Sequence, residues 1–187
     1  MNVLIIPEDF RKDQYILKPI ISAMLSTQGI NTRVEVCRDP LLGGISQALR
    51  WERRQDVIEK YKYRVSLFIL CVDRDGVENR RQTLDDRENK AQVILPEDKT
   101  FLAENAWQEI EVWVLAGHSD LPNDWKWADA RQEIHPKEVY FQPFAEQKGV
   151  ADTPDGGRRR LADEAAKNYQ RIRQLCPEVA SLETRLL

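Results

Sequence analysis

The stretch LFILCVDRDGVENRR, residues 67–81, decides the fold class because an apolar run ends abruptly in two acids. The run predicts a strand over Val65–Val72, which is apolar on both faces apart from Ser66. Strands of that kind lie at the centre of mostly parallel sheets that helices cover on both sides. The strand delivers Asp73 and Asp75 to its carboxyl end. Acids followed by glycine also form plain turns, so the pair alone leaves both a turn and a metal site open.

Predicted strands and helices alternate through the first half of the chain. The strands are Asn2–Ile6, Ile30–Cys37, Val65–Val72 and Thr100–Ala103, and the helices are Arg11–Gln28, Ile45–Tyr61 and Asn79–Gln92. Pro19 lies inside the first helical pattern, so we expect a kink there or a helix that effectively begins near it. The alternation predicts an α/β, Rossmann-like fold in which helices flank a central, mostly parallel sheet.

The second half of the chain is predicted to be mainly helical. Residues 119–149 are rich in Pro, Asp, Trp and Lys and predict irregular chain with short helices. A helix over Leu161–Leu175, a break at Pro177 and a short helix over Val179–Leu187 predict a helical C-terminal extension.

Composition restricts the class of protein. The chain has 187 residues, of which 42% are hydrophobic and 32% charged, and its formal net charge is −3. These values predict one globular domain and give no overall basic signature for nucleic acid, although a local basic patch stays open. Cys37, Cys71 and Cys176 lack the spacing of zinc ligands, so we expect a reduced, cytoplasmic protein. The N-terminus does not resemble a signal peptide, and no apolar run reaches the roughly 20 residues that span a bilayer, so we expect no membrane association.

Two of the predicted strands end in acids. Glu8 follows the first strand, and Asp73 and Asp75 follow the third. Because the carboxyl ends of parallel strands meet at one edge of a sheet, these carboxylates converge if the two strands are neighbours. Mg²⁺ prefers oxygen ligands, and proteins often supply it with only a few carboxylates beside water and phosphate. The pattern therefore predicts that Glu8, Asp73 and Asp75 hold Mg²⁺ or Mn²⁺ for chemistry on a phosphoryl group.

Four features carry a resemblance to the Toprim domain, the fold shared by topoisomerases, primases and the overcoming-lysogenization-defect nucleases. They are the glutamate after the first strand, the Asp-x-Asp after a later strand, the Glu-x-Trp within QEIEVW (108–113), and the helix running into Cys-Pro in YQRIRQLCP (169–177). The first two resemble the domain itself, and the last two resemble small stand-alone Toprim-like proteins. The likeness is nearer to small stand-alone bacterial Toprim-like proteins and covers most of the chain. It implies a catalytic α/β core over residues 1–118, with the irregular segment and C-terminal helices of 119–187 packed on it in a single domain.

The resemblance also implies a function. It implies a Mg²⁺- or Mn²⁺-dependent nuclease that cleaves DNA or RNA and takes part in defence against phage beside a partner ATPase. Glu8 matches the family's general acid/base or metal ligand, Asp73 and Asp75 match its metal-binding pair, and Glu111 is expected to assist catalysis. Self-association into a homo-oligomer is left open.

The chain departs from the Toprim pattern beside Glu8. The usual glycine after this glutamate is absent, and the sequence there is Pro7-Glu8-Asp9-Phe10. Glycine lets a backbone approach phosphate closely, so its loss supports an alternative in which the scaffold is catalytically degenerate and serves as a binding or regulatory subunit. A phosphotransfer receiver is a further alternative, against which stands the lack of a lysine suitably placed near a late strand.

The segment Trp107–Ala116 fits a helix, with a strand as the alternative. On a helix Glu109 and Glu111 would lie roughly 200° apart, so both could not face one metal. The Toprim resemblance favours Glu111. We expect Trp107 and Trp113 to anchor the core rather than to stack on nucleobases.

Basic residues close to the predicted strand ends are candidates for binding phosphate or nucleic acid, because arginine and lysine bind phosphate oxygens. These candidates are Arg11, Lys12, Arg74, Arg80 and Arg81. Arg74, between the two aspartates, should point away from the metal if the strand pleat continues. Arg158-Arg159-Arg160 follows a Gly-Gly pair and could reach the site, with a solvated surface as the alternative.

Overall fold

The computed structural model describes residues 2–186 and has an α/β architecture, which confirms the predicted fold class. In chain order the elements are β1 (Asn2–Ile6), α1 (Phe10–Thr27), β2 (Arg33–Val36), α2 (Ile45–Leu49), α3 (Trp51–Tyr61), β3 (Leu67–Asp73), α4 (Arg80–Ile94), β4 (Thr100–Ala106), α5 (Glu111–Gly117), α6 (Trp127–Gln132), a π-helical turn (Lys137–Phe141), α7 (Gln142–Gln147), α8 (Arg158–Ala166), α9 (Tyr169–Leu175) and α10 (Pro177–Thr184). None of the helices in this part of the chain combines the length and hydrophobicity that crossing a bilayer requires.

The four strands form one parallel sheet in the order β2-β1-β3-β4. In register, Val3 pairs with Leu67 and Ile6 with Leu70, while Asp73 pairs with Ala106. The predicted central position of β3 is confirmed, and its carboxyl end lies between the ends of β1 and β4. Acids that follow β1 and β3 are therefore delivered to the same edge of the sheet.

The sheet is buried on both faces, which explains the apolar character of its central strands. Val3 and Ile5 pack into a core with α1, α5 and the C-terminal helices, whereas Leu4 and Ile6 pack into a second core with α3 and α4. Phe144 and other side chains from beyond residue 119 belong to the first of these cores. The C-terminal part of the chain thus shares a hydrophobic core with the sheet.

Two boundaries near the carboxyl edge differ from the predictions. β4 continues to Ala106, three residues beyond the predicted end, because β3 pairs with it along its whole length. The helix of the next segment begins only at Glu111, so the prediction of a helix starting at Trp107 is wrong at its first turn. The residues between Ala106 and Glu111 form a loop.

Three helical predictions also need correction. α1 starts at Phe10, where the Asp9 side chain caps the helix by accepting a hydrogen bond of 2.9 Å from the Arg11 N–H. The helix continues through Pro19, so the expectation of a start near Pro19 is wrong. The helix predicted over 45–61 breaks at Arg50, whose backbone is extended.

The helix predicted over 161–175 divides into α8 and α9, with Asn168 between them. The Asn168 side-chain amide donates a hydrogen bond of 3.0 Å to the Gly117 carbonyl, which anchors the break to the end of α5. The break between α9 and the last helix is where it was predicted, but α10 begins at Pro177 itself, two residues before the predicted Val179. Leu187, the predicted end of this helix, lies outside the described residues.

α5 and α8 approach each other closely at Gly117. A Cβ atom on Gly117 would lie 2.5 Å from the Cβ and 2.6 Å from the Cα of Ala165, far inside van der Waals contact. Only glycine permits this approach, and the approach brings the start of α8, with Arg158, to the carboxyl edge of the sheet.

Candidate functional site

Glu8 and Asp73 meet where the two central strands end. The Asp73 backbone N–H donates a hydrogen bond of 3.3 Å to Glu8 Oε2. Asp73 Oδ1 in turn accepts a hydrogen bond of 2.9 Å from the Ile110 N–H, which ties it to the loop before α5. The Ile110 N–H therefore orients the Asp73 carboxylate, while the Asp73 backbone holds the Glu8 carboxylate next to it.

The loops that follow β3 and β4 are joined through Gln108. Its carbonyl accepts hydrogen bonds from the N–H groups of Arg74 (2.8 Å) and Asp75 (3.2 Å), and its side-chain oxygen accepts one of 2.8 Å from the Gly76 N–H. Asp75 and Gln108 have positive φ angles, 50° and 71°, which side-chain-bearing residues rarely adopt. Such strain is concentrated at functional sites, where surrounding contacts hold it in place.

These two loops bring three carboxylates together. One oxygen from each of Asp73, Asp75 and Glu109 lies within 4.8 Å of the others. We call these three residues the acid triad. Asp75 is exposed, whereas Asp73 and Glu109 are largely buried, so the triad is open to solvent on one side.

A cavity of about 340 Å³ opens beside the triad, and we call it the acid cavity. Its lining residues in the described chain are Glu8, Asp9, Lys12, Asp13, Gly43, Gly44, Asp73, Glu109, Glu111, Lys137 and Arg158. Six of these carry carboxylates and three carry basic groups. The lining therefore has the mixed charge that suits a divalent cation together with an anionic ligand.

Crowding of buried carboxylates raises their pKa values. Burial raises the pKa of Asp73 well above its usual value, and the nearby charges of Glu111, Glu8 and Asp13 raise it further. Burial also raises the pKa of Glu8, with a contribution from the charge of Asp75, although the hydrogen bond from the Asp73 N–H opposes the shift. Proximity without a counter-charge is thus unfavourable for the ionised state.

Asp13 and Glu109 are affected in the same way. Burial, followed by the charges of Glu111 and Glu8, raises the pKa of Asp13 to about 7. Burial raises the pKa of Glu109, and a hydrogen bond of 2.9 Å from the Lys137 N–H to Glu109 Oε2 opposes that change. A divalent cation would relieve the repulsion among these groups, because it favours their ionised forms.

Cations balance part of the negative charge. Arg158 donates hydrogen bonds from Nε (3.1 Å) and Nη2 (2.7 Å) to Glu111 Oε1, and both side chains are largely buried. The Lys137 Nζ lies 3.7 Å from Glu109 Oε1, and Lys12 is an exposed lining residue. Arg158 and Lys137 thus partly neutralise two of the carboxylates.

The structure brings most of the predicted acids together. Glu8, Asp73 and Glu111 line the acid cavity, and Asp75 completes the acid triad. Glu109 and Glu111 both line the acid cavity, but only Glu109 belongs to the acid triad, whereas Glu111, which the Toprim resemblance favoured, pairs with Arg158. The two acids do not share a helix, because α5 begins at Glu111 and Glu109 belongs to the preceding loop. The acid triad contains Glu109 in the place where the sequence predicted Glu8. Glu8 lies beside the triad and accepts a hydrogen bond from the Asp73 N–H.

The predicted basic residues are dispersed. Lys12 lines the acid cavity, whereas Arg11 is exposed and falls outside the set of described lining residues. Arg80 is buried and donates a hydrogen bond of 3.4 Å to the Arg74 carbonyl. Arg81 bonds to the Ala103 carbonyl and pairs with three acids of α4 and β4, so its guanidinium is engaged within the fold.

Arg74 stacks its guanidinium carbon 3.9 Å from the centre of the Trp107 ring. Of the two tryptophans expected to anchor the core, Trp113 is fully buried as predicted, but Trp107 is 37% exposed. Within the Arg158–Arg160 run only Arg158 reaches the acid cavity, while Arg159 stacks on Tyr15 and Arg160 pairs with Glu164.

Sequence reasoning missed Asp13 and Lys137. A signal for Asp13 exists, because it shares one helical face with Ile16, Leu17 and Ile20, and an acid within an apolar stripe is out of place unless it has a role. Lys137 carries no comparable local signal; its position depends on the π-helical turn and the packing of the chain beyond residue 119.

The acid triad fits a hard divalent cation. All three groups offer carboxylate oxygens, the donors that Mg²⁺ and Mn²⁺ prefer. Two ligands of one Mg²⁺ lie at most about 4.2 Å apart, twice the roughly 2.1 Å bond, so small side-chain rotations suffice to bring oxygens 4.8 Å apart onto one ion. Comparison of the chain with family models, with curated proteins and with solved structures returns no match.

Proposed function

We propose that the protein is a metal-dependent nuclease of Toprim type that hydrolyses phosphodiester bonds in DNA or RNA. The observation that carries the proposal is the convergence of Asp73, Asp75 and Glu109 at the carboxyl edge of a parallel sheet, with Glu8 beside them. Carboxylates at this edge are where open α/β sheets bind ligands. The Toprim resemblance extends the proposal to defence against phage together with an ATPase.

The acid triad would hold Mg²⁺ or Mn²⁺. When bound, such a cation neutralises charge on a phosphodiester and lowers the pKa of a water molecule. Lys12 and Lys137, at the wall of the cavity, suit contacts with the phosphate oxygens.

Glu8 suits proton transfer. Burial raises the pKa of Glu8 above its usual value, which makes the protonated carboxyl group easier to form. We assign Glu8 to donate a proton to the departing sugar oxygen or to take one from the attacking water. Its hydrogen bond with the Asp73 N–H holds the carboxylate beside the triad for either role.

A catalytically degenerate scaffold is the second candidate, and one observation favours it. Glu111 is ion-paired with Arg158, and Glu109 is close to Lys137, so two acids of the cavity already have internal counter-charges. A site that no longer binds a cation would need such pairs to remain folded.

A cleavage assay distinguishes the two candidates. Labelled single-stranded and duplex DNA and RNA are incubated with the protein and Mg²⁺ or Mn²⁺, and with EDTA as a blank. The proposal predicts cleavage that Asp73→Asn and Asp75→Asn reduce by at least about 100-fold. The matched control is Asp98→Asn, an exposed acid before β4 at the opposite edge of the sheet. Equal cleavage by the wild type and all three variants would mean that the acid triad does not carry the activity. No cleavage by the wild type with either metal would favour the degenerate scaffold.

A further inference from the structure

Trp107 is placed unusually for a large aromatic residue. It is 37% exposed at the end of β4, two residues before Glu109 of the acid triad, whereas Trp113 is fully buried. Burying an indole ring stabilises a protein by about 3 kcal/mol, so a tryptophan that is 37% exposed forgoes part of that gain. An exposed aromatic beside a candidate site is typical of a ligand contact.

The backbone that carries the Trp107 ring is held by Glu178. Glu178 accepts a hydrogen bond of 3.2 Å from the Trp107 N–H and binds Arg131 with contacts of 2.7 and 2.9 Å. Glu178 also accepts a hydrogen bond of 2.9 Å from the Trp113 indole N–H. The backbone of Trp107 is thus fixed by a partly buried ion pair, which restricts the position of the exposed ring.

A guanidinium group lies against the ring. The carbon at the centre of the Arg74 guanidinium is 3.9 Å from the centre of the Trp107 ring, and that of Arg131 is 5.5 Å away. Arg74 lies between Asp73 and Asp75 in the loop after β3, and Trp107 lies two residues before Glu109 in the loop after β4. The stacked pair is therefore next to the acid triad in both loops. Both groups are planar and partly exposed, and together they present a flat, cationic surface.

Apolar side chains surround the same loops. Val77 and Ile134 are both exposed. Ile134 lies close to the β3–α4 loop, because its Cγ2 would be 3.9 Å from a Cβ built on Gly76, the residue after Asp75. Exposed apolar groups next to cationic planes suit a ligand with an aromatic face and a negative charge. A nucleotide has both properties.

We propose that Trp107 and Arg74 form a stacking platform for one unpaired nucleobase of single-stranded DNA or RNA, which sets the adjoining phosphodiester at the acid triad. The inference rests on the proposed function for that last step and names its substrate class. Bases stack on aromatic rings and on guanidinium planes in single-strand binding sites, at about 1–3 kcal/mol for each base. Bases within a duplex are already stacked on one another, so the platform selects single strands.

Binding without cleavage tests the platform. Fluorescence anisotropy in EDTA measures the affinity for a short labelled DNA strand, the matching RNA strand, each duplex, and a single strand with abasic positions. The proposal predicts that Trp107→Ala weakens single-strand binding about 5- to 150-fold, the equivalent of about 1–3 kcal/mol, and leaves duplex binding unchanged. The abasic strand should bind more weakly to the wild type and lose nothing further in Trp107→Ala. The DNA and RNA arms show which sugar is preferred.

Conservative variants separate stacking from charge and from folding. Trp107→Phe keeps an aromatic plane and should retain most of the affinity, whereas Arg74→Lys keeps the charge, loses the plane and should weaken single-strand binding. Arg74→Lys also serves if thermal melting shows that Trp107→Ala is unfolded. The matched control is Tyr63→Ala, an exposed aromatic beside Lys62 that precedes β3 at the opposite edge of the sheet.

Failure of the platform and failure of the nuclease proposal give different results. If the triad-dependent cleavage occurs and Trp107→Ala binds and cuts single strands like the wild type, the platform is wrong and the nuclease stands. If single strands bind through Trp107 but no metal supports cleavage, the stacking site stands and the nuclease proposal fails. If Trp107→Ala weakens the binding of single strands, duplexes and abasic strands equally, the stack of Arg74 on Trp107 only supports the structure of the loops. That result would overturn the inference.

Discussion

The backbone N–H of Asp73 donates a hydrogen bond of 3.3 Å to the Glu8 carboxylate, joining the ends of the two central strands. Ordinary sheet pairing ends at Leu70 on β3 opposite Ile6 on β1, so this side-chain contact extends the connection beyond the ladder. It also keeps two acids close together in a partly buried setting. Several consequences of that unfavourable proximity can be measured.

Divalent cations should stabilise the folded protein. Binding to the native state alone raises the free energy of unfolding by about 2.7 kcal/mol at a cation concentration 100 times Kd, or roughly 5–10 °C in Tm for a chain of this size. Thermal melting with and without Mn²⁺ measures the shift. Asp73→Asn should abolish it while raising Tm in EDTA, because the substitution removes a charge from the cluster and keeps an oxygen that accepts from the Ile110 N–H.

The exposed acid Asp98 provides the control for that measurement, since it pairs with Lys99 away from the cavity. Asp98→Asn should leave the Mn²⁺ shift unchanged. A shift of the same size in Asp73→Asn would show that the stabilising cation binds elsewhere.

Protonation of Asp13 should make stability depend on pH. Its pKa is about 7 in the folded protein and about 3.9 in an unfolded chain, so the folded state binds the extra proton between these values. Its contribution to the free energy of unfolding is therefore full below about pH 4 and is lost as the pH rises through about 7. Asp13→Asn should be more stable than the wild type at about pH 8, by up to about 4 kcal/mol, and equal to it near pH 4.

Urea denaturation across this pH range measures the difference, with Asp56→Asn on the exposed face of α3 as the control. The Asn oxygen can still accept the hydrogen bond of 2.7 Å that Asp13 receives from the Asp9 N–H. A loss of stability in Asp13→Asn that is the same at every pH would refute the assigned pKa.

The Glu111–Arg158 pair should respond asymmetrically to substitution. Arg158→Gln leaves the Glu111 charge buried beside Asp13 and Asp73, and should cost about 3–5 kcal/mol of stability. Glu111→Gln leaves Arg158 among other carboxylates and should cost less. The double variant should be more stable than Arg158→Gln alone, whereas additive losses in urea denaturation would mean that the two side chains do not interact.

Gly117 should tolerate no side chain. Gly117→Ala forces a Cβ into Ala165 of α8, so we expect a loss of about 1–3 kcal/mol, because helix backbones must move apart. Gly43→Ala is the control, since a Cβ there meets no atom within 4 Å. Thermal melting of the two variants compares them directly, and a Gly117→Ala protein as stable as Gly43→Ala would contradict the close approach of α5 and α8.

The predictable part of the structure is the part that local pattern controls. The apolar run ending in Asp73 predicted a central parallel strand, because a strand buried on both faces has no alternation of polar residues. The glutamate after β1 and the Asp pair after β3 then had to share one edge of the sheet. Glu8 and Asp73 followed from topology alone.

The remainder of the site depends on tertiary contacts that single residues do not reveal. Glu109 joins the triad because β4 extends to Ala106 and a positive φ at Gln108 turns the chain before α5 begins. Arg158 reaches Glu111 because Gly117 lets α8 approach α5. Neither result follows from helical periodicity, which treated residues 107–116 as one helix.

The most direct test of the central claim is anomalous diffraction from crystals grown with Mn²⁺, collected at the manganese absorption edge. The metal-dependent site predicts one strong peak bounded by carboxylate oxygens of Asp73, Asp75 and Glu109, at bond lengths of about 2.0–2.3 Å. It also predicts that the peak is absent from Asp73→Asn crystals. Ordered carboxylates with no anomalous peak among them, at a Mn²⁺ concentration that supports binding in solution, would contradict the claim.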